Sequence, residues 1–131
     1  DCDFGPDGAF YVSDWVDGWD GLGKGRIYRV TNDVLKTDPR VKEVQTLLKE
    51  GFDQRDVKEL CKLIEHADRR VRVGAQFALV EKKAVKELLE VAKSSKVQLA
   101  RLHAIWGVGM VLRLNNPEQL NAEKNLELVK S

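Results

Sequence analysis

DRRVRVGAQFAL, residues 68–79, is the stretch whose reading decides the fold. Asp68 can accept a free backbone N–H at a helix start, and Val71, Ala75, Ala78 and Leu79 then recur on one stripe at helical spacing. The spacing predicts a helix from Arg69 to about Lys82, and the small residues Ala75 and Ala78 suit it to a close neighbour.

The same periodicity extends both ways. Upstream, Val57, Leu60, Cys61 and Ile64 mark one helix, while Asp38 as cap and Pro39 as first residue open another that carries Val41, Val44, Leu47 and Leu48 until Gly51. Downstream, Val85, Leu88, Leu89 and Ala92 are expected inward on a helix from Ala84 to about Lys93. A further helix is predicted from about Lys96 to Leu114, and Pro117 opens the next.

These helices repeat themselves. Val57, Leu60, Cys61 and Ile64 map onto Val85, Leu88, Leu89 and Ala92, and Arg72, Ala75 and Ala78 map onto Arg101, Ala104 and Gly107 after one inserted loop residue. Self-similarity at a helix-pair period is the mark of an α-solenoid, in which each pair buries its apolar stripe against its neighbours. Val71 to Leu79, behind its acidic cap, resembles the second helix of HEAT repeats. That resemblance implies structural roles for Asp68, Arg72 and Arg101, with the arginines pairing with acidic groups between adjacent repeats. It covers roughly Arg40 to Leu114; the second copy lacks the preceding Asp.

The first thirty residues are built differently. Gly5, Pro6, Asp7 and Gly8 signal a turn, Ala9 to Asp14 reads as a strand, and Arg26 to Thr31 reads as another. Between them lies a glycine-rich loop with Trp15 and Trp19. The expected fold is therefore mainly α: a short N-terminal β-hairpin followed by an α-solenoid of HEAT-like helix pairs.

Of 131 residues, 43% are hydrophobic and 33% charged, and 22 Lys and Arg against 21 Asp and Glu leave a net charge of +1. No strong field favours a nucleic-acid partner, and no apolar run reaches the roughly 20 residues that span a membrane. Cys2 and Cys61 lie far apart and lack CxxC companions, so they indicate neither a zinc site nor a redox pair.

The loop contains Gly18, Gly23 and Lys24 at the spacing of a phosphate-binding loop, but Gly25 stands where Ser or Thr is needed and a strand follows where a helix is needed. The spacing of Asp14, Asp17 and Asp20 is not that of an EF-hand, and turn-stabilising carboxylates are the plainer reading. Trp15 and Trp19 read first as packing residues and second as a ring platform for a sugar or quinone. His66 and His103 have no ligand-spaced partner and read as helix-surface or inter-helix residues. Arg69, Arg70 and Arg72, beside Glu65 and Asp68, read as a salt-bridged edge.

The succession of DFGPDGAFYVSDWVDGW (3–19), GKGRIYRVT (23–31) and helices containing AQFAL and RLHAIWGVG resembles the putative membrane-bound dehydrogenases, also called PVC-type haem-binding proteins. In that family a β-propeller similar to pyrroloquinoline quinone-dependent sugar dehydrogenases runs into HEAT repeats. The resemblance implies that residues 1–32 are the last blade segment of a propeller, 33–39 a linker and 40–131 a solenoid cut at its C-terminal end. The start at Asp1, without methionine and inside strand-like sequence, is read the same way.

The resemblance further implies an exported, periplasmic oxidoreductase that oxidises a sugar or related alcohol and passes electrons to a c-type haem. The haem lies outside these residues, which carry no CxxCH, and the resemblance leaves retention of the quinone open. Trp19, Lys24 and Arg26 are the ligand-binding candidates, because a long loop between blade strands can project toward a propeller's central pocket. No catalytic base is assigned. The alternative is a non-catalytic scaffold, with a protein partner on the helical surface.

Overall fold

The structure, a computed structural model, describes residues 1–15 and 25–115. The chain is mainly helical with a short N-terminal antiparallel sheet. It divides into two units, Asp1–Glu50 and Gly51–Ser131.

The first unit holds β1 (Cys2–Phe4), β2 (Phe10–Asp14), β3 (Arg26–Val30), a 3-10 turn at Leu35–Thr37 and α1 (Pro39–Glu50). The strand order is β1-β2-β3, antiparallel throughout, with Phe4 opposite Phe10 and Phe10 opposite Val30. The sheet thus has one strand more than the expected hairpin. The turn that joins β1 to β2 explains it: Gly5 N–H donates to Ala9 O at 2.8 Å and Gly8 N–H to Gly5 O at 3.1 Å, so the chain doubles back within four residues. Gly8 stands at φ +73°, and a Cβ there would meet Val41 of α1 at 2.8 Å. Both the left-handed backbone and the close approach require glycine.

Alternation along the strands sorts the sheet into two faces. Phe4, Phe10, Val30, Val12 and Tyr28 share the apolar one, where the Phe4 and Phe10 rings lie 5.0 Å apart. On the other, the Arg29 guanidinium donates to the Asp7 carboxylate at 2.6 and 3.0 Å and the Tyr11 hydroxyl donates to the same oxygen at 3.1 Å. These bonds hold the Asp7 carboxyl below its ordinary range, Arg29 contributing most. Asp38 starts α1 as its sequence suggests, accepting from Arg40 N–H at 2.8 Å, and the Arg40 side chain helps hold its carboxyl down at about 2. Contact divides the chain after α1, so α1 is grouped with the sheet.

The second unit holds α2 (Val57–Leu63), α3 (Arg69–Glu81), α4 (Val85–Ser94) and α5 (Gln98–Asn115). Asp56 caps α2 through Glu59 N–H at 2.7 Å, and Asp68 caps α3 through Arg70 N–H at 2.8 Å. Among the described residues, Leu60, Ile64, Val71, Leu79, Leu88 and Val111 are the largest fully buried side chains. Close packing of α3 depends on what it lacks: the Phe52 ring lies where a Cβ on Gly74 would be.

One inward expectation is corrected. Leu89 is 41% exposed, because α4 turns Ala84, Leu88 and Val91 to the core and leaves Val85 and Ala92 half-buried. Both stripes are compatible with the apolar spacing of Val85 to Ala92, and only packing against α5 chooses between them.

Candidate functional site

The two helix pairs of the second unit are joined alike at their turns. In the α2–α3 turn, Asp68 N–H donates to His66 Nδ1 at 2.9 Å and Arg72 Nη1 donates to His66 O at 2.8 Å. In the α4–α5 turn, Val97 N–H donates to Ser95 Oγ at 3.1 Å and Arg101 Nη1 donates to Ser95 O at 2.9 Å. Each arginine thus reaches back six residues to the turn preceding its own helix. Arg72 also donates to Ala67 O at 2.7 Å. The acceptors are carbonyls close behind the end of the preceding helix, where the helix dipole favours a cation, rather than the carboxylates that the resemblance implies. Asp68 is held instead by Arg70, at 2.7 Å, which keeps its carboxyl below the ordinary range. Ser95 Oγ donates to the Glu65 carboxylate and so ties the two turns together.

Between the pairs, α3 and α5 meet through a buried polar bond. Gln76 and His103 are both 6% exposed, and His103 Nδ1 lies 2.7 Å from Gln76 Oε1. Gln76 Nε2 lies 3.2 Å from Met110 Sδ. Sulfur offers only an acceptor, so the amide must turn its NH₂ to Met110 and its oxygen to the imidazole. Nδ1 of His103 therefore carries a proton, and in the neutral ring Nε2 keeps its lone pair. Burial, and secondarily the Arg72 charge, push the imidazole below its ordinary pKa of 6.5, which favours this neutral form.

The equivalence of the pairs also lines up exposed side chains. The shift that carries Arg72 onto Arg101 carries Phe77 onto Trp106 and Val73 onto Leu102. Phe77 is 48% exposed and Trp106 56%, with Leu99 and Leu102 exposed beside Trp106. Trp106 is held from below: its ring meets His103 edge to face at 5.4 Å. The buried Gln76–His103 bond thus supports a surface aromatic. This ladder of apolar groups, one rung per helix pair, is the candidate site. Sequence reading did not single out Phe77, Gln76 or Trp106; the shift between the repeats, applied to exposed positions as well as buried ones, could have found the two aromatics.

Of the ligand candidates, Trp19 and Lys24 lie outside the described residues, and Arg26 is an exposed residue at the start of β3, opposite Asp14. Among the described residues, no three His, Cys, Asp or Glu side chains gather in a way that could hold a metal ion, and no helix is long and apolar enough to cross a membrane. Burial pushes the Cys61 thiol above its ordinary pKa, with a smaller contribution from Glu87, which makes it a poor nucleophile. No protein-family model, no curated protein and no solved structure matches the chain.

Proposed function

We propose that the helical unit is a protein-binding scaffold whose stacked pairs present the Phe77–Trp106 ladder to an apolar peptide segment of a partner. The single observation that carries this reading is the recurrence of a half-exposed aromatic at equivalent positions of α3 and α5. Large exposed apolar groups in a row favour recognition, and aromatics on rigid helices dominate binding energy with little loss of side-chain freedom.

The test is selection of a random peptide library against the full chain, followed by titration of enriched peptides into Phe77→Ser and Trp106→Ser. Apolar peptides should emerge, and each substitution should weaken binding by about tenfold or more, as for a central interface aromatic. Failure to enrich any peptide, or binding indifferent to both substitutions, would remove the ladder from function.

A second reading, favoured by the open three-stranded meander β1-β2-β3, is that these residues belong to a propeller-containing oxidoreductase of the kind the sequence resembles. Its parent would then act on a sugar or related alcohol, in an exported compartment, with Arg26, Lys24 and Trp19 facing ligand. A c-type haem spectrum and dye-linked sugar oxidation in the parent protein would support it. Turnover unaffected by Lys24→Ala and Trp19→Ala would take the loop out of the active site.

A further inference from the structure

The two rungs of the ladder stand on different supports. The shift that carries Phe77 onto Trp106 carries Gly74 onto His103. One turn before Phe77 there is thus no side chain to titrate, and the Phe52 ring fills the space that a Cβ on Gly74 would take. One turn before Trp106 stands an imidazole, which meets the indole edge to face at 5.4 Å. Only the second rung has a proton-binding group in contact with its exposed aromatic.

A second proton on His103 must go to Nε2, since Nδ1 is engaged with Gln76 Oε1 at 2.7 Å. The surroundings offer the resulting charge little. From α3 it faces Arg72, which repels it, and Gln76, whose oxygen is already used. From α4, packed on the same helix, Leu88 and Val91 turn inward while Lys86, Glu87, Glu90 and Lys93 are exposed. On α5 itself Arg101 bonds Ser95 O and Arg113 is exposed. Water is the remaining source of solvation for an imidazolium here, and an apolar group laid over the half-exposed Trp106 would displace it.

We propose that the ladder is pH-gated at its second rung: a partner seats on Trp106 most tightly while His103 is neutral, and seating drives off any proton that His103 holds. The gate exists only if the ladder is a binding surface, as proposed above. Coupling of this kind is reciprocal, so that the partner weakens the proton as much as the proton weakens the partner. The folded pKa of His103 lies below its ordinary value, and a bound partner lowers it further; affinity is therefore complete above the free protein's value and is lost as pH falls through it. The Phe77 rung, with no titratable support, is indifferent to pH.

The probe for the test is an end-capped peptide of leucine, alanine and glutamine, which has no titratable group, so any pH dependence of its binding belongs to the protein. It is titrated into the full chain by calorimetry between pH 8 and pH 5, over the range in which the far-ultraviolet circular dichroism is unchanged. Affinity should fall about fivefold toward pH 5, the low end of ordinary coupling between two sites, and His103→Gln should abolish the fall. Nuclear magnetic resonance titration of the His103 imidazole gives a second readout that needs no substitution in the site. Added peptide should move that titration to lower pH, and Trp106→Ser, which uncovers the imidazole, should move it up. Binding that requires Trp106 but does not vary with pH, a fall that survives His103→Gln, or a His103 titration unmoved by peptide would overturn the gate and leave the ladder standing. Tighter binding at pH 5, the result if the indole face stabilised the imidazolium, would overturn it too. No binding, or binding indifferent to Trp106→Ser at every pH, would remove the ladder and the gate together.

Discussion

Replacing Arg72 by methionine keeps the apolar stem of the side chain and removes only the guanidinium. Arg72 is 6% exposed, and its guanidinium donates to two carbonyls, His66 O at 2.8 Å and Ala67 O at 2.7 Å, while its Nε has no partner. Hydrogen bonds from a charged donor contribute about 1.5–3 kcal/mol each, and relief of one orphaned buried N–H returns about 1–3 kcal/mol. The net loss should be about 2–3 kcal/mol, since the two severed bonds outweigh the single relieved donor. Arg101→Met severs one such bond at a half-buried site and should lose about 1 kcal/mol. Urea unfolding followed by far-ultraviolet circular dichroism measures both. The same Arg72 variant should raise the His103 pKa, because a repelling charge is gone, yet leave it below 6.5, because burial remains the larger cause. A loss for Arg72→Met no greater than for Arg101→Met, or a His103 titration that does not move, would refute the geometry.

The pH dependence of stability should carry the mark of His103. Its folded pKa is depressed, so near pH 6.5 the unfolded chain binds a proton that the folded chain refuses; stability is complete above that value and is lost as pH falls through it. His103→Gln should flatten this fall in the urea midpoint between pH 8 and pH 5, and an unchanged slope would contradict the assignment. Asp68 acts in a separate, more acid window, its depressed carboxyl giving stability that is present above 3.8 and lost below it. Gly8→Ala and Gly51→Ala should differ. Both sites have positive φ, but the new Cβ at Gly8 would meet Val41 at 2.8 Å whereas at Gly51 nothing lies within 4 Å. Gly51→Ala should cost about 1–2 kcal/mol for the left-handed backbone alone, and Gly8→Ala measurably more in the same thermal scan.

Much of the helical part was legible because its signals are local. Asp38 before Pro39, Gly51 after Glu50 and Asp68 before Arg69 each satisfy or release backbone groups within a turn, and all three mark observed helix boundaries. The correspondence of Arg72 with Arg101 was legible too, but the partners of these arginines were not, since carbonyls carry no residue identity. β1 was legible only as strand-like sequence at the start of the chain, because three residues give a single alternation and leave its pairing with β2 unset. Leu89 was misplaced because two overlapping stripes fit α4 equally well. The Gln76–His103 bond joins residues 27 positions apart on different helices, and no spacing rule reaches that far. The ladder was missed for a simpler reason: attention to periodicity finds inward residues, whereas Phe77 and Trp106 matter by facing outward.

Nitrogen-15 shifts of the His103 imidazole at neutral pH test the stacking of the two pairs most directly. Stacking through Gln76 requires a protonated Nδ1, hydrogen-bonded to the amide oxygen, and the depressed pKa leaves Nε2 unprotonated at neutral pH. A ring protonated at Nε2 alone would mean that α3 and α5 do not meet as described, and a doubly protonated ring at that pH would contradict the burial that depresses its pKa.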